Sequence, residues 1–236
     1  MLELKHFCKV YPNGKVGADD INLVVEAGDI FAFIGHNGAG KTTTIKSIVG
    51  INDVTSGDIL IDGKSIVKKP MECKKIVAYV PDNPDIYNAL TGVQYLNLIA
   101  DFFRVSKEDR AETVKKYAEL LDIYKDLNSP ISNYSHGMKQ KLVLISALIH
   151  RPKLIVMDEP FVGLDPKASY CVKEIMKDFV KNGGAIFFST HVLEVAEKLC
   201  NKVAIIKDGK IIKQGTMKEI KKDESLEEVF LESAND

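Results

Sequence analysis

The 236-residue chain has almost no net charge, no long apolar run and no evident export signal at its start. Its 32 Lys and Arg residues nearly balance 33 Asp and Glu residues, so the net charge of -1 gives no reason to expect a nucleic-acid partner. No apolar run approaches the roughly 18 residues that span a bilayer, so any membrane role is expected to be peripheral. Residues 1–6 lack a positive segment followed by an apolar one, which argues against a signal peptide.

Cysteine is scarce and scattered. The four cysteines are Cys8, Cys73, Cys171 and Cys200, and no two of them form a Cys-x-x-Cys pair. This spacing is typical of reduced, partly buried residues in a cytoplasmic protein, rather than of a metal site or a disulfide framework. The length and the 45% share of hydrophobic residues suit one large α/β domain, or one domain with an inserted sub-domain.

Short apolar runs recur along the chain with helical segments between them. The runs cover residues 30–34, 76–80, 154–157, 185–188 and 203–206. Strands that are apolar at consecutive positions are covered on both faces, as in parallel sheets with crossover helices. Helical spacing predicts one such crossover helix over about 167–181. The predicted fold class is therefore α/β with a mixed, mainly parallel sheet.

Two further features modify this core. Asp62-Gly63 and Asp208-Gly209 are flanked by apolar residues and predict antiparallel hairpins. The part up to about residue 30 is expected to carry an antiparallel β layer beside the main sheet. Residues 84–150 contain no convincing strand and are predicted to form an inserted helical sub-domain. Its helices are expected near 92–103, 107–122 and 136–149.

A phosphate-binding loop follows the strand at 30–34. The segment GHNGAGKT matches the pattern GxxxxGK[ST], and a predicted helix over 42–49 follows it. Glycines let backbone N–H groups turn toward phosphate oxygens, and the helix N-terminus favours negative charge. Lys41 is expected to reach the β- and γ-phosphates, and the Thr42 hydroxyl to bind Mg²⁺. The residues expected to hold the nucleotide here are Gly35, His36, Asn37, Gly38, Ala39, Gly40, Lys41, Thr42 and Thr43.

An acidic pair ends the strand at 154–157. Asp158 is expected to hold Mg²⁺, often through water, and Glu159 to act as the general base that polarises the attacking water. A pair of solvated acids at a strand end is the alternative, and the preceding phosphate loop favours the catalytic interpretation. Together with the predicted strands, the phosphate loop and the acidic pair predict that residues 1–83 and 151–225 form a core that binds nucleotide. The tail, 226–236, is predicted to be a short acidic helix of the same domain.

The segment YSHGMKQ, at 134–140, precedes an apolar helical pattern. Ser135 is well placed to cap that helix. Its hydroxyl, the Gly137 N–H and the positive helix end together suit an anion. On its own, however, this segment is better explained as an ordinary helix start.

Taken together, these motifs resemble the nucleotide-binding domain of ATP-binding cassette transporters over nearly the whole chain. The matching segments are GHNGAGKTT, YSHGMKQK, LIVMDEP, Gly163-Leu164-Asp165 and Thr190-His191. YSHGM corresponds to the family's signature motif, whose commonest form is LSGGQ. The resemblance implies that Ser135 and Gly137 contact the γ-phosphate of ATP held by a second protomer.

The resemblance also assigns roles to single residues. It implies that Asp165 lies at the dimer seam, that His191 hydrogen-bonds the γ-phosphate and that Tyr11 stacks on adenine. By itself, Tyr11 better fits a core or surface position, and only its register with the other motifs favours stacking. Lys41, Glu159 and His191 are then the catalytic residues. The implied metal ligands are Thr42, Asp158 and Asp82.

As a whole, the resemblance implies an ATPase subunit with ATP and Mg²⁺ as cofactors. Its partners would be a second copy of the chain and a separate transmembrane subunit, which would hold it at the inner face of the cell membrane. The segment from Asp82 to Arg104 would form the groove for a short cytoplasmic helix of that subunit. The signature variant resembles that of exporters of drugs, peptides and polysaccharides.

Two positions depart from the family pattern. Asp82 stands where a Gln usually reaches Mg²⁺, and a bridging water is plausible for this shorter, charged side chain. His36, inside the phosphate loop, is interpreted as a tolerated exposed side chain rather than a proton carrier. Two other classes remain as alternatives, a soluble cassette ATPase acting on ribosomes or DNA and a single-chain nucleotide kinase or GTPase. The latter leaves the signature segment and His191 without a role.

Overall fold

The computed structural model describes residues 1–222 and 224–235, which form two β-sheets with helices packed around them. The strands in this part are β1 Leu2–Val10, β2 Val16–Val25, β3 Ile30–Ile34, β4 Ser56–Ile61, β5 Lys64–Ser65, β6 Val77–Val80, β7 Leu154–Asp158, β8 Ala185–Thr190, β9 Lys202–Lys207 and β10 Lys210–Thr216. The helices are α1 Lys41–Ile48, α2 Pro70–Lys74, α3 Gly92–Phe102, α4 Lys107–Leu120, α5 His136–Ile149, α6 Pro166–Lys181, α7 Leu193–Leu199, α8 Met217–Lys221 and α9 Leu226–Asn235. Residue 236, the last of the predicted tail helix, lies outside the described residues.

The larger sheet carries the candidate site. Its strand order is β10-β9-β3-β8-β7-β6, and only the β10–β9 pair is antiparallel. The predicted α/β fold with a mixed, mainly parallel sheet is therefore confirmed. Parallel strands end at a common edge, and ligands of such sheets bind beside those carboxyl ends. The phosphate loop, the acidic pair and His191 all follow strands that end there.

The smaller sheet is antiparallel, in the order β2-β1-β4-β5. We expected this layer within about the first 30 residues, and that boundary is too short. β4 pairs with β1, with Leu2 opposite Ile61, and β5 extends the sheet to Ser65. The apolar pattern marks residues 59–61 as half of a hairpin, but a local pattern does not reveal their pairing with the chain start.

The core lies on both faces of the larger sheet. All five residues of β3 and all six of β8 are buried. Since side chains alternate along a strand, Phe31, Phe33 and Phe187 point toward the smaller sheet, with ring centroids 5.3 to 5.7 Å apart. Burying one such side chain stabilises the fold by about 1.5–3 kcal/mol. The strand ends that carry the site are thus held on a rigid base.

Between β6 and β7 the described chain is helical and forms α3, α4 and α5, each with a capped start. Thr91, Ser106 and Ser135 each accept a hydrogen bond from a backbone N–H in the first turn. A cap of this kind stabilises a helix by about 1 kcal/mol. These helices agree with the predicted segments to within two residues, whereas the division of the chain into 1–83, 84–150, 151–225 and 226–236 stays a prediction. No helix of the described part is long and apolar enough to cross a membrane.

Candidate active site

The phosphate loop connects the buried strand β3 to the start of α1, and two of its glycines have no room for a side chain. A Cβ at Gly35 would lie 2.5 Å from the backbone oxygen of Ile206. At Gly40 it would lie 2.4 Å from the oxygen of Gly17, and Gly40 also has a φ of 109°. Only glycine tolerates both conditions. The loop is therefore pressed against the sheet, and its Gly38 tip is left exposed.

Lys41 begins α1 and is folded back into the loop. Its side chain is 7% exposed, and Nζ donates hydrogen bonds to the carbonyl oxygens of Gly35 at 2.6 Å and His36 at 3.2 Å. Burial lowers the pKa of Lys41, and the nearby carboxylates of Glu159 and Asp158 oppose that shift. An anion placed beside this ammonium favours its charged form in the same way.

Asp158 and Glu159 end β7 and are fixed by Ser189 of the neighbouring strand β8. Asp158 is 3% exposed, and its Oδ1 accepts a hydrogen bond from the Ser189 hydroxyl at 2.5 Å. The Glu159 N–H donates to the same hydroxyl at 3.1 Å and to the Ser189 carbonyl at 3.2 Å. Glu159 has a φ of 48°, a conformation that costs a residue with a side chain about 1–3 kcal/mol. Strain of this kind persists where the surroundings fix it, often at functional sites.

The Glu159 carboxylate lies between two cationic or potentially cationic groups. Its Oε1 is 3.9 Å from Lys41 Nζ, and its Oε2 is 3.0 Å from His191 Nδ1. The His191 backbone N–H also donates to Oε2, at 3.3 Å. Glu159 is 13% exposed and His191 57%, so the imidazole lies on the solvent side.

Lys41 and Glu159 line a cavity of about 620 Å³, whereas His191, Gly35 and Ala39 are not among its lining residues. Its lining includes Tyr11 and Val16, the loop from His36 to Thr43 except Ala39, and Asp82 with the acidic pair. Burial raises the pKa of Asp82, and the carboxylates of Asp158 and Glu159 raise it further. The structure thus brings most of the predicted site residues together around one cleft.

The hydroxyl group of Tyr11 is hydrogen-bonded to the helix that follows the phosphate loop. The Tyr11 oxygen lies 3.0 Å from Thr43 Oγ1, and the Asn52 amide donates to it at 3.4 Å. Gly17 lies close to the ring, and a Cβ added there would be 2.9 Å from Tyr11 Cε2. The ring therefore lies at the cavity wall rather than in the core.

Ser135, Gly137 and Asp165 form a second group that does not line this cavity. Ser135 Oγ accepts from the Met138 N–H at 3.2 Å, and Gly137 lies against the backbone of Gly163. Asp165 caps α6, and the hydrogen bond from the Ala168 N–H is the main cause of its lowered pKa. Within one chain, the predicted site is therefore present as two separate parts.

Sequence reasoning missed three residues that shape the site: Ser189, Asn52 and Gly17. Ser189 had a usable signal, because it is a polar residue at the carboxyl end of a buried strand. Asn52 lies in a loop and Gly17 near the start of β2, neither within a motif, and only the folded contacts reveal them. No group of three or more His, Cys, Asp or Glu side chains that would hold a metal occurs among the described residues. The hard oxygens of Thr42 and Asp158 fit Mg²⁺, which usually takes one or two carboxylates and completes its shell with water and phosphate.

Comparison with known proteins gives consistent matches. Residues 18–162 match the family described as ABC transporter. The chain is 35% identical to the ABC transporter ATP-binding protein YhcH of Bacillus subtilis over 95% of its length and 73% of that protein. It is 34% identical to the ABC-type transporter ATP-binding protein EcsA of the same organism, over 90% of the chain and 88% of EcsA. A solved structure of an ATP-binding subunit of an ABC transporter superimposes with a TM-score of 0.95 and 33% identity, covering 99% of both chains.

Proposed function

Because the chain belongs to the ABC transporter family, as an ATP-binding and ATP-hydrolysing subunit, we propose that two copies bind Mg-ATP at a head-to-tail interface. Closure on ATP and opening after hydrolysis would drive a separate membrane subunit, which holds the pair at the inner face of the cell membrane. The proposed direction of transport is export, since the YSHGM segment resembles that of exporter cassettes.

One observation carries the two-chain proposal: the site is split within the single chain. The cavity holds Lys41, Glu159 and Tyr11, whereas Ser135 and Gly137 lie outside it. A triphosphate seated on Lys41 would be covered by the loop on one side and open on the other. Two copies related by a two-fold axis place the α5 start of each over the cavity of the other and close two equivalent sites.

Within that site the chain's own groups divide the work of hydrolysis. We propose that Lys41 binds the β- and γ-phosphates and that Glu159 accepts the proton of the attacking water. His191 is proposed to hold the γ-phosphate, because its ring lies 3.0 Å from the general base. Thr42 and Asp158, with Asp82 directly or through water, would hold Mg²⁺, which neutralises phosphate charge when bound.

A groove beside α3 fits the proposed membrane partner. A cavity of about 340 Å³ lies between α3 and α5 and is lined by apolar residues such as Tyr95, Ile99 and Val143. Phe102 is 75% exposed next to it, and Lys74 and Lys75 line the adjoining surface. An apolar helix with acidic side chains on its flank would satisfy both the groove and its cationic rim.

The decisive experiment replaces Glu159 by Gln, which keeps the shape of the side chain and removes the base. We expect hydrolysis to fall by about 10²–10⁴-fold while Mg-ATP binding persists, so that ATP accumulates in the closed dimer. Light scattering with saturating Mg-ATP should then report a dimer, and the double variant Glu159→Gln/Lys41→Ala should remain monomeric. A Glu159→Gln protein that stays monomeric would refute the two-chain site.

The choice between transport and a ribosome- or DNA-directed ATPase is tested separately. The tagged chain is isolated from gently solubilised native membranes, and the co-purifying proteins are identified. A multi-spanning membrane protein in stoichiometric amount supports the proposal. Ribosomal components in its place contradict the proposal.

A further inference from the structure

The C-terminal helix α9 packs beside the phosphate loop. Leu226 and Val229 are 0% and 1% exposed and belong to the main core, so the helix is firmly seated. The next residue, Phe230, is half-buried and extends toward the loop. Its ring centroid lies 4.7 Å from that of His36, with the ring planes tilted by 49°. This is the usual separation of interacting aromatic side chains.

His36 is directly connected to the lysine of the site. Its carbonyl oxygen accepts a hydrogen bond from Lys41 Nζ at 3.2 Å, and it also accepts from the Ala39 N–H at 3.2 Å. Contact with Phe230 restrains the ring of a residue whose backbone seats this ammonium group. The restraint matters because the loop tip around His36 is otherwise exposed.

The other end of α9 is attached to the helix that follows His191. The Leu226 N–H donates to Glu197 Oε2 at 3.1 Å, and Glu197 belongs to α7. The same carboxylate pairs with Lys221 at the end of α8. Since α7 begins two residues after His191, α9 contacts both the phosphate loop, through Phe230, and the helix that follows His191.

We propose that Phe230 is a positioning residue for ATP binding, which acts through His36 on the position of the Lys41 side chain. The inference rests on the proposed function, in which Lys41 binds the phosphates. The backbone of α9 fixes the position of the Phe230 ring. Leu226 and Val229 hold the helix against the core whether or not that ring is present. Removing the ring therefore loosens the loop tip, while the helix stays in place.

The test compares Phe230→Ala with a matched set of variants in the full chain. Phe230→Tyr keeps the ring, Phe230→Leu keeps the apolar bulk without it, and Leu231→Ala alters the adjacent residue, which is 54% exposed. Steady-state ATPase activity yields KM and kcat, and thermal unfolding checks each fold. From the strength of one aromatic contact, we expect Phe230→Ala and Phe230→Leu to raise the KM for ATP by roughly 2- to 10-fold. Phe230→Tyr and Leu231→Ala should retain the wild-type KM, and kcat should change little throughout.

A double-variant comparison separates positioning from general packing. In the His36→Ala background, Phe230→Ala should produce no further rise in KM, because the contact is already lost. An equal rise in both backgrounds, or an unchanged KM in Phe230→Ala, overturns the inference. Lys41→Ala distinguishes this from failure of the site itself. Wild-type ATP affinity in Lys41→Ala overturns the site and the inference together, whereas loss of affinity there with an unchanged KM in Phe230→Ala overturns only the role of Phe230.

Discussion

Replacing Gly137 by Ala tests the half of the site that lies outside the cavity. The new Cβ would lie 2.8 Å from the Gly163 oxygen, whereas ordinary contacts begin at 3.4 Å. The Gly163 backbone has little freedom to yield, because its φ is 77° and the His136 ring packs against it. The start of α5 must therefore move by about 0.6 Å, and misplacement by about 1 Å in a catalytic arrangement costs roughly 10²-fold. We expect ATPase activity to fall by about 10-fold.

The fold itself should tolerate this change. Alanine is favoured over glycine in a helix by about 1 kcal/mol, which offsets part of the strain, so the melting temperature should change by only a few degrees. Binding of ATP to the monomer should be unchanged, because Gly137 does not line the cavity that holds Lys41. A fluorescent ATP analogue measures that affinity, and light scattering in the Glu159→Gln background measures dimerisation.

The matched control is Glu108→Ala, which alters the second residue of α4, an exposed position outside the candidate site. It should leave activity and dimerisation unchanged. Wild-type activity in Gly137→Ala, in a protein of unchanged melting temperature, would refute the reasoning. A loss of ATP affinity in the monomer as large as the loss of activity would also refute it, because Gly137 would then belong to the part of the site that contains Lys41.

Two predictions concern titrating groups. The folded state binds a proton at Asp82 more tightly than the unfolded state does, because the pKa of Asp82 is raised by burial; stability is therefore lost as the pH rises above 3.8. Asp82→Asn should raise the melting temperature slightly at pH 7 and leave it unchanged in strong acid, and a drop at pH 7 contradicts this. ATP-coupled transport by the Asp82→Asn variant should fall, while its ATP binding stays intact. Burial lowers the pKa of His150 below 6.5, so the free energy of unfolding should decrease as the pH falls below that value, by at most about 1.4 kcal/mol per pH unit. Urea titrations at several pH values from 5 to 8 give the free energy of unfolding, which should depend less steeply on pH in His150→Gln than in the wild type. An equal pH dependence in both proteins would contradict the assignment.

The parts of the fold that sequence analysis predicted are those encoded locally. A strand, a glycine-rich turn and a helix start are contiguous at 30–48, and the helix at 136–149 has its own cap and apolar face. The pairing of Leu2 with Ile61 joins distant segments. Apolar residues at both positions are compatible with many partners, so the extent of the smaller sheet required the structure.

The candidate site divides in the same way. Lys41 and Glu159 were predicted because a short motif fixes their chemistry, and Lys41 Nζ lies 3.9 Å from Glu159 Oε1 because β3 and β7, on either side of β8, end at the same edge of the sheet. Ser189 and Phe230 were not assigned roles in the site, because each acts through a residue distant in sequence. The contact between Phe230 and His36 has no local signature, since an apolar residue in a terminal helix predicts core packing equally well.

The position of Glu159 suggests how nucleotide would prepare the site for chemistry. Its carboxylate lies between Lys41 and His191, and its backbone is strained. A triphosphate on Lys41 competes for the same ammonium group and carries more charge than the carboxylate. In the proposed cycle, nucleotide binding therefore releases Glu159 from this ion pair, while Ser189 continues to hold its backbone. In that cycle, this exchange of partners at Lys41 would couple the position of the Glu159 carboxylate to ATP binding.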